Sequence, residues 1–372
     1  MTKNIHIVAD SKIPFLRGVL EPYTQISYYD PSEITNAVVR DADILLVRTR
    51  TRVDKRLLAG SKCRFVGTTT IGYDHIDTQY CDEQGIRWAN APGCNAKSVG
   101  QYVLASILLW AHTKKRNISD LTIGIIGVGN IGSIVEKYCR TIGMKVLLND
   151  PPRAAVEGKE NFVSLDEIAS RADIITFHTP LTMQGEYATC HLGSARFFDS
   201  LQRSPLIINS SRGAVVDNYA LLRALNTEKV GDAIMDCWEG EPRLNTALMF
   251  ASFIATPHIA GYSSDGKANA TRMIVEAVGK ELGIEIDTSG IIPPTPPVNT
   301  LSLARSTTPL NSAIFASYNP MIETHFLKRQ PHEFDKLRNS YGIRREFGAY
   351  TVTGVSGNNA TILRELGFNV AK

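Results

Sequence analysis

Charge of either sign, long apolar runs and paired cysteines are all scarce in this sequence of 372 residues. Charged residues make up 21% and the formal net charge is +3, so no long-range field gathers nucleic acid or an anionic membrane surface. The longest apolar run, 102–111, is too short to cross a bilayer and reads as a buried helix. Six cysteines (Cys63, Cys81, Cys94, Cys139, Cys190, Cys237) are scattered without a Cys-x-x-Cys pair, which argues against a disulfide framework or a zinc site and fits a reduced interior. The N-terminal stretch Asn4-Ile5-His6-Ile7-Val8-Ala9 alternates like a first strand and lacks the apolar centre of a signal peptide. The expectation is a cytoplasmic protein without a metal, whose partners are small molecules or further subunits and neither nucleic acid nor membrane.

What is present is alternation. Up to about residue 95, strand-like runs at 5–9, 44–47, 64–67 and 86–89 are separated by polar, helix-capable segments, an α/β pattern. A long helical run, 96–112, leads into a strand at 121–126. The turn Gly127-Val128-Gly129-Asn130-Ile131-Gly132 follows and opens a helix marked by Ile134, Val135 and Tyr138. Strand, glycine turn and helix in that order make a dinucleotide site. Gly127 permits the turn, Gly129 lets backbone approach a pyrophosphate, Gly132 lets helix pack on strand, and the helix N-terminus favours phosphate charge. Asn130 and Ile131 lie within the turn and are assigned to the same cofactor. A second strand, 144–149, ends at Asp150, eighteen positions after Gly132 (150 − 132), about where a ribose-binding acid belongs. Its carboxylate accepts from ribose hydroxyls and repels a 2′-phosphate, so NAD is expected rather than NADP. Arg153 nearby is the residue that speaks for NADP.

Further strands at 172–177, 206–209, 230–235 and 253–255 alternate with helices such as 165–170, where Ser164 and Glu167 have capping-box spacing. The pattern implies a doubly wound parallel sheet with ligands at the carboxyl ends of its strands, where Gly127, Asp150, His178, Ser210 and Asp236 fall. From 286 to 300 the chain turns proline-rich (Pro293, Pro294, Pro296, Pro297), a stiff extended linker. Beyond it lie a helix start at Asn319-Pro320, a strand at 350–355 and a last helix ending near Gly367. So small a unit buries too little to be very stable alone and is expected to dock and to mediate oligomerisation. The expected organisation is a flavodoxin-like substrate-binding domain over 1–95, completed by about 258–285, a Rossmann NAD-binding domain over 96–257, and a small α+β dimerisation domain over 286–372.

Three later segments carry reactive groups: Asn209-Ser210-Ser211-Arg212-Gly213, Trp238-Glu239-Gly240-Glu241-Pro242 and Thr256-Pro257-His258-Ile259-Ala260-Gly261. Oxidising a secondary alcohol next to a carboxylate needs a base for the hydroxyl proton, a cation for the carboxylate and forming carbonyl, and a hydride acceptor. His258 is the candidate base, Glu241 the acid that favours its charged form, and Arg212 a planar bidentate clamp. At an effective dielectric near 20 and about 4 Å, an acid–imidazole pair is worth roughly 4 kcal/mol before desolvation. Taken singly, a His after Thr-Pro is often a loop cap, a Glu before Pro a turn acid, and an Arg before Gly a surface cation. Together, downstream of the glycine turn, they point to hydride transfer at a hydroxy-acid carbon. Asp236 is a candidate for holding the nicotinamide carboxamide, while Cys237 and Trp238 read as packing. Arg48, Arg50 and Arg52 alternate after the 44–47 strand, so period-two geometry aims them together at an anion, with a solvated basic edge as the alternative.

These segments resemble the D-isomer-specific 2-hydroxyacid dehydrogenases, with Arg212 and Glu241 at a similar spacing of twenty-nine positions (241 − 212). The stretches Asn149-Asp150-Pro151-Pro152-Arg153, His178-Thr179-Pro180-Leu181-Thr182, Asp236 to Pro242 and His258-Ile259-Ala260-Gly261-Tyr262-Ser263 resemble one branch of that family in particular. The resemblance implies NAD-dependent oxidation of a phosphorylated 2-hydroxy acid by a cytoplasmic homodimer joined through its C-terminal domain. It implies that Thr49 and Thr70 contact substrate, with Arg48, Arg50, Ile71 and Gly72 beside them. It implies that Asp150, Thr179 and Asp236 contact NAD, with His178, Pro180, Ser210 and Ser211 adjoining. Gly261 and Tyr262 lie beside the site, the first assigned to cofactor and the second to substrate. Gln101 stands where many relatives carry an acid, and Arg344 and Arg345 are candidates to reach a partner's active site. Two alternatives stay open: another acid of the same class, such as 3-phosphoglycerate, and a non-catalytic, NAD-sensing protein similar to the family's corepressors.

Overall fold

Aliphatic runs of four or five residues become strands buried on both faces, as parallel sheets require. The computed structural model describes residues 5–371, so Asn4, which begins the first expected strand, lies outside the described residues. The chain forms two units: Met1–Asn95 with Ser263–Pro294, and Ala96–Tyr262 with Thr295–Lys372.

The first unit holds five parallel strands: β1 (His6–Asp10), β2 (Gln25–Tyr29), β3 (Ile44–Val47), β4 (Phe65–Thr68) and β5 (Arg87–Ala89). Their order, β2-β1-β3-β4-β5, is the flavodoxin-like arrangement. Because side chains alternate along a strand, Ile7, Ala9, Ile44, Leu46 and Phe65 share one face. The Ser264–Leu282 helix covers that face through Ala268, Ile274, Val275 and Val278. Val8, Leu45, Val47 and Val66 point the other way into a second cluster. β2 went unpredicted because it is an edge strand: Gln25-Ile26-Ser27-Tyr28-Tyr29 is only half-buried and carries no aliphatic run.

The second unit is built on β6 (Thr122–Ile126), β7 (Lys145–Asn149), β8 (Ile174–Phe177), β9 (Leu206–Asn209), β10 (Asp232–Met235) and β11 (Ile254–Ala255). All are parallel, in the order β11-β10-β9-β8-β6-β7. Alternation again divides the residues between two layers. Ile123, Ile125, Ile174, Ile208 and Ile234 meet the Ala96–Thr113 and Asn130–Thr141 helices, while Ile175, Phe177, Ile207, Ala233 and Met235 meet the helices of the opposite face. The sheet is therefore doubly wound. Strand order reverses at β6, between β7 and β8, and the crevice above that switch point is where such sheets bind ligands. The usual strand outside β7 is reduced to Val163, whose N–H donates to Leu148 O and whose carbonyl accepts from Asn149 Nδ2, both at 2.7 Å.

The proline cluster contains the boundary between the units, which falls between Pro294 and Thr295. Residues 295–371 form three short parallel strands, β12 (Thr300–Ser302), β13 (Thr351–Thr353) and β14 (Asn369–Val370), with five helices between them, counting one 3-10 turn that leads into the Phe334–Asn339 helix as part of it and one at Phe347–Ala349. Leu301, Ile314, Tyr318, Phe347, Leu363 and Phe368 join the core against the Ala96–Thr113 and Asn130–Thr141 helices, and Leu327 and Phe334 join the cluster on the opposite face.

Candidate active site

Each glycine of the 127–132 turn meets a different requirement. Gly127 has φ +85°, and a Cβ there would lie 2.8 Å from the backbone of His178; at Gly132 it would lie 2.1 Å from Gly127 O. At Gly129, the N-cap of the Asn130–Thr141 helix, a Cβ would have no neighbour within 4 Å. The protein itself demands the first and third glycines, whereas the second leaves an open side at a helix N-terminus, the geometry that receives a phosphate. Asp150, at the end of β7, accepts from Val128 N at 2.8 Å and caps the next helix through Arg153 N at 3.1 Å. Arg153 is committed elsewhere: it forms a two-pronged bond with Glu157, both at 2.7 Å, and donates to Val128 O at 2.6 Å. Its support for a 2′-phosphate is thereby withdrawn.

Three buried polar atoms at the ends of β8 and β9 have no protein partner: His178 Nδ1, Thr179 Oγ1 and Ser210 Oγ. Such atoms are rare in folded proteins, and a polar dinucleotide is the group they fit. His178 Nε2 lies 2.9 Å from Thr176 Oγ1, and burial holds the imidazole down to about 3. Pro180 continues this loop through its carbonyl, which accepts from Thr189 Oγ1 at 2.6 Å. Ser211 differs from its neighbour, since both its N–H (3.1 Å) and its hydroxyl (2.9 Å) are spent on Asn209 Oδ1.

Glu241 and His258 come together at the ends of β10 and β11. Glu241 Oε2 lies 2.8 Å from His258 Nδ1, while Oε1 accepts from Trp238 N at 2.7 Å. Burial pushes the Glu241 carboxyl up, but the His258 hydrogen bond and charge, the Trp238 N–H and the Arg338 guanidinium outweigh it and hold it below its ordinary range. With Nδ1 engaged, Nε2 is the ring atom turned to other partners. His258 has φ +56°, left-handed backbone that a residue with a Cβ adopts only where its surroundings impose it. Asp236 imposes it: its carbonyl accepts from His258 N (2.9 Å), Oδ1 from Ile259 N (2.7 Å) and Thr256 Oγ1 (2.6 Å), and Oδ2 from Ala260 N (3.0 Å). Its carboxylate thus shapes the loop, a use not legible in sequence. Arg212 follows β9, the neighbouring strand, and acts electrostatically on Cys237. Cys237 Sγ, a Glu241 oxygen and a His258 nitrogen lie within 4.8 Å of one another, but the thiol is held strongly protonated, first by burial and then by Asp236 and Glu241.

Residues 105–260 match the model of the D-isomer specific 2-hydroxyacid dehydrogenase NAD binding domain, and residues 292–367 match a domain of unknown function. The chain is 47% identical to the erythronate-4-phosphate dehydrogenase of Bacteroides thetaiotaomicron, over 94% of this chain and 99% of that one. It is 40% identical to the enzyme of that name from Escherichia coli, over 98% of each. The chain belongs to the erythronate-4-phosphate dehydrogenase family. It is an NAD-dependent oxidoreductase. Among solved structures, the Aquifex aeolicus D-lactate dehydrogenase complexed with NAD and lactic acid is 26% identical and superposes with a TM-score of 0.62 over 75% of this chain and 95% of that one. An NAD-bound 3-phosphoglycerate dehydrogenase from Entamoeba histolytica (24% identical, 75% and 96% covered, TM-score 0.63) shares the fold.

In the first unit of this dehydrogenase, the residues assigned to substrate follow β3 and β4. Thr70 Oγ1 lies 2.7 Å from Thr68 Oγ1 and donates to Gly72 O at 2.8 Å, while Ile71 O accepts from Asn90 Nδ2 at 2.6 Å. The arginines do not share a strand face as expected. β3 stops at Val47 and a turn follows, so Arg48 reaches Lys12 O (3.2 Å), Arg52 reaches Asp74 O (3.2 Å), and Thr49 and Arg50 stay exposed. In the second unit, Arg344 is engaged within its own chain. It is buried and donates to Ala260 O, while Arg345 O accepts from Gln101 Nε2 at 3.1 Å. Arg338, which sequence spacing gave no reason to notice, donates to Tyr262 OH at 3.0 Å, just past Gly261.

Proposed function

We propose that this dehydrogenase oxidises 4-phospho-D-erythronate to 2-oxo-3-hydroxy-4-phosphobutanoate with NAD, a step toward pyridoxal phosphate, in the cytoplasm. The activity for which relatives matched over nearly their whole length are named supports the substrate. The observation that carries the chemistry is the Glu241–His258 bond of 2.8 Å on a loop held by Asp236. In this reading His258 Nε2 takes the proton of the substrate hydroxyl, and Glu241 stabilises the imidazolium that results. Arg212 binds the carboxylate and polarises the forming carbonyl. NAD, when bound, accepts the hydride. Gly127, Gly129, Asn130, Ile131 and Gly132 would hold its pyrophosphate and Asp150 its ribose. His178, Thr179, Pro180, Ser210, Ser211, Asp236 and Gly261 would line the remainder. Arg48, Thr49, Arg50, Thr70, Ile71 and Gly72, with Tyr262, would take up the substrate.

The assignment extends to the organisation of the chain: a substrate-binding unit over 1–95 completed downstream, an NAD-binding unit, and a C-terminal segment through which two copies dimerise. Turnover followed as NADH formation tests the substrate. 4-Phospho-D-erythronate is expected to exceed 3-phospho-D-glycerate and unphosphorylated D-erythronate by at least tenfold in kcat/KM, and a preference for 3-phospho-D-glycerate would overturn the assignment. Protein that binds NADH yet exchanges no hydride with any 2-hydroxy acid would instead support a corepressor-like sensor. Arg50→Ala should weaken binding of the phosphorylated acid more than of its dephosphorylated analogue; equal losses would remove Arg50 from phosphate recognition.

A further inference from the structure

The loop from His258 to Tyr262 is held from two sides. From within the sheet, Asp236 grips the N–H groups of His258, Ile259 and Ala260. From the C-terminal segment, Arg344 Nη2 donates to Ala260 O and, at 3.4 Å, to Ser98 O of the Ala96–Thr113 helix. Ala260 is therefore fixed through its N–H by one element and through its carbonyl by another. Arg344 is itself immobilised: it is buried, and its guanidinium carbon sits 4.5 Å from the Tyr318 ring centroid. Two residues on, Arg338 Nε donates to the Tyr262 phenol oxygen at 3.0 Å and its guanidinium lies 5.6 Å from that ring, whose edge packs on Tyr341 at 6.4 Å.

We propose that Arg338 and Arg344 are positioning residues for the reaction, holding the acid–base loop at Ala260 and Tyr262 so that the His258 ring and the Tyr262 phenol face the substrate in fixed directions. The inference rests on the proposed roles of His258 and Tyr262 above. Its physical basis is over-determination. A residue with a Cβ stays at positive φ only where its surroundings enforce it: Asp236 holds the His258 N–H, and Arg344, 84 positions beyond Ala260 (344 − 260), holds the carbonyl two residues further along the same loop. A phenol oxygen that accepts from a guanidinium also directs its own O–H away from that cation, so Arg338 fixes the bearing of the Tyr262 hydroxyl. The segment matched by a domain of unknown function thereby acquires a part in positioning the reaction.

Two arms test this on the full-length protein. In the first, Arg338→Met is expected to lower kcat/KM for 4-phospho-D-erythronate by at least tenfold, to leave NADH affinity within twofold, and to be partly rescued in Arg338→Lys. Tyr262→Phe should cause a similar loss, and the double variant no more than either single one. Turnover within twofold of the parent, or fully additive losses, would overturn the proposal for Arg338. The charged and titratable groups facing Glu241 are His258, Cys237 and Arg338, so removing the Arg338 cation should also move the acid limb of the kcat profile to higher pH, as a purely structural contact would not. In the second arm, amide hydrogen exchange is compared in Arg344→Gln and the parent. Exchange at Ile259 and Ala260 is expected to quicken at least tenfold while the β6 amides keep their protection; unchanged protection at 259–260 would overturn the role of Arg344. If the parent oxidises no hydroxy acid, the substrate reading fails, and the exchange arm still decides whether the clamp exists.

Discussion

Glu241 is ionised at a depth where a carboxyl ordinarily keeps its proton, and the cause is local: His258, Trp238 N–H and Arg338 together overcome burial. The sign follows from linkage. A carboxyl depressed on folding stabilises the fold fully above its ordinary value of 4.5, and that stabilisation is lost as pH falls through the depressed folded value. Glu241→Gln keeps the shape but withdraws the charge that supports the imidazolium, so kcat should fall by about 10² to 10³ with little change in NADH affinity, as stopped-flow and fluorescence titration would show. His178 runs the other way. Burial lowers its folded value from 6.5 to about 3, so the unfolded chain takes up a proton first, and the stabilisation, complete above 6.5, declines as pH drops. Between about pH 7 and about pH 5 this histidine costs the fold roughly 2 kcal/mol, a slope that His178→Gln should remove in paired urea titrations.

At the level of elements, the glycine turn separates folding from cofactor binding. Gly132→Ala forces a methyl to 2.1 Å from Gly127 O, so helix and strand must part; we expect a loss of several kcal/mol in stability together with loss of NADH binding. Gly129→Ala meets no protein atom within 4 Å and should melt within a few degrees of the parent while binding NADH at least tenfold more weakly. Equal melting temperatures for both variants would contradict this division. The turn was legible because strand, glycines and helix form one contiguous pattern, and β3 and β9 were readable to the residue because both faces are buried and every position is aliphatic or ends in Asn. β2 was not legible, since an edge strand with one neighbour has no need of such a run. The arginines after β3 were misread for a related reason: alternation predicts direction only while the backbone stays extended, and here it turns after Val47.

At the scale of the whole chain, the pairing of Glu241 with His258 was accessible from sequence because each lies beside a strand end. The embrace of their loop by Arg338 and Arg344 was not, because it depends on how residues 295–371 settle against the helices of the second unit. That same segment exposes Met321, Ile322, Phe326 and Ile343, an apolar set suited to a second copy. Sedimentation should report a dimer, and Phe326→Glu should shift it toward monomer; a parent that sediments as a monomer would end the dimer proposal. The route of the chain has a consequence for synthesis. One face of the β1–β5 sheet is closed by the Ser264–Leu282 helix, which begins 175 positions after β5 ends (264 − 89). At about 5 to 20 residues per second, a ribosome leaves Ile7, Ile44, Leu46 and Phe65 without their cover for roughly 9 to 35 s. The newborn first unit must therefore wait, wet-faced and open to chaperones, until nearly three quarters of the polypeptide has been made.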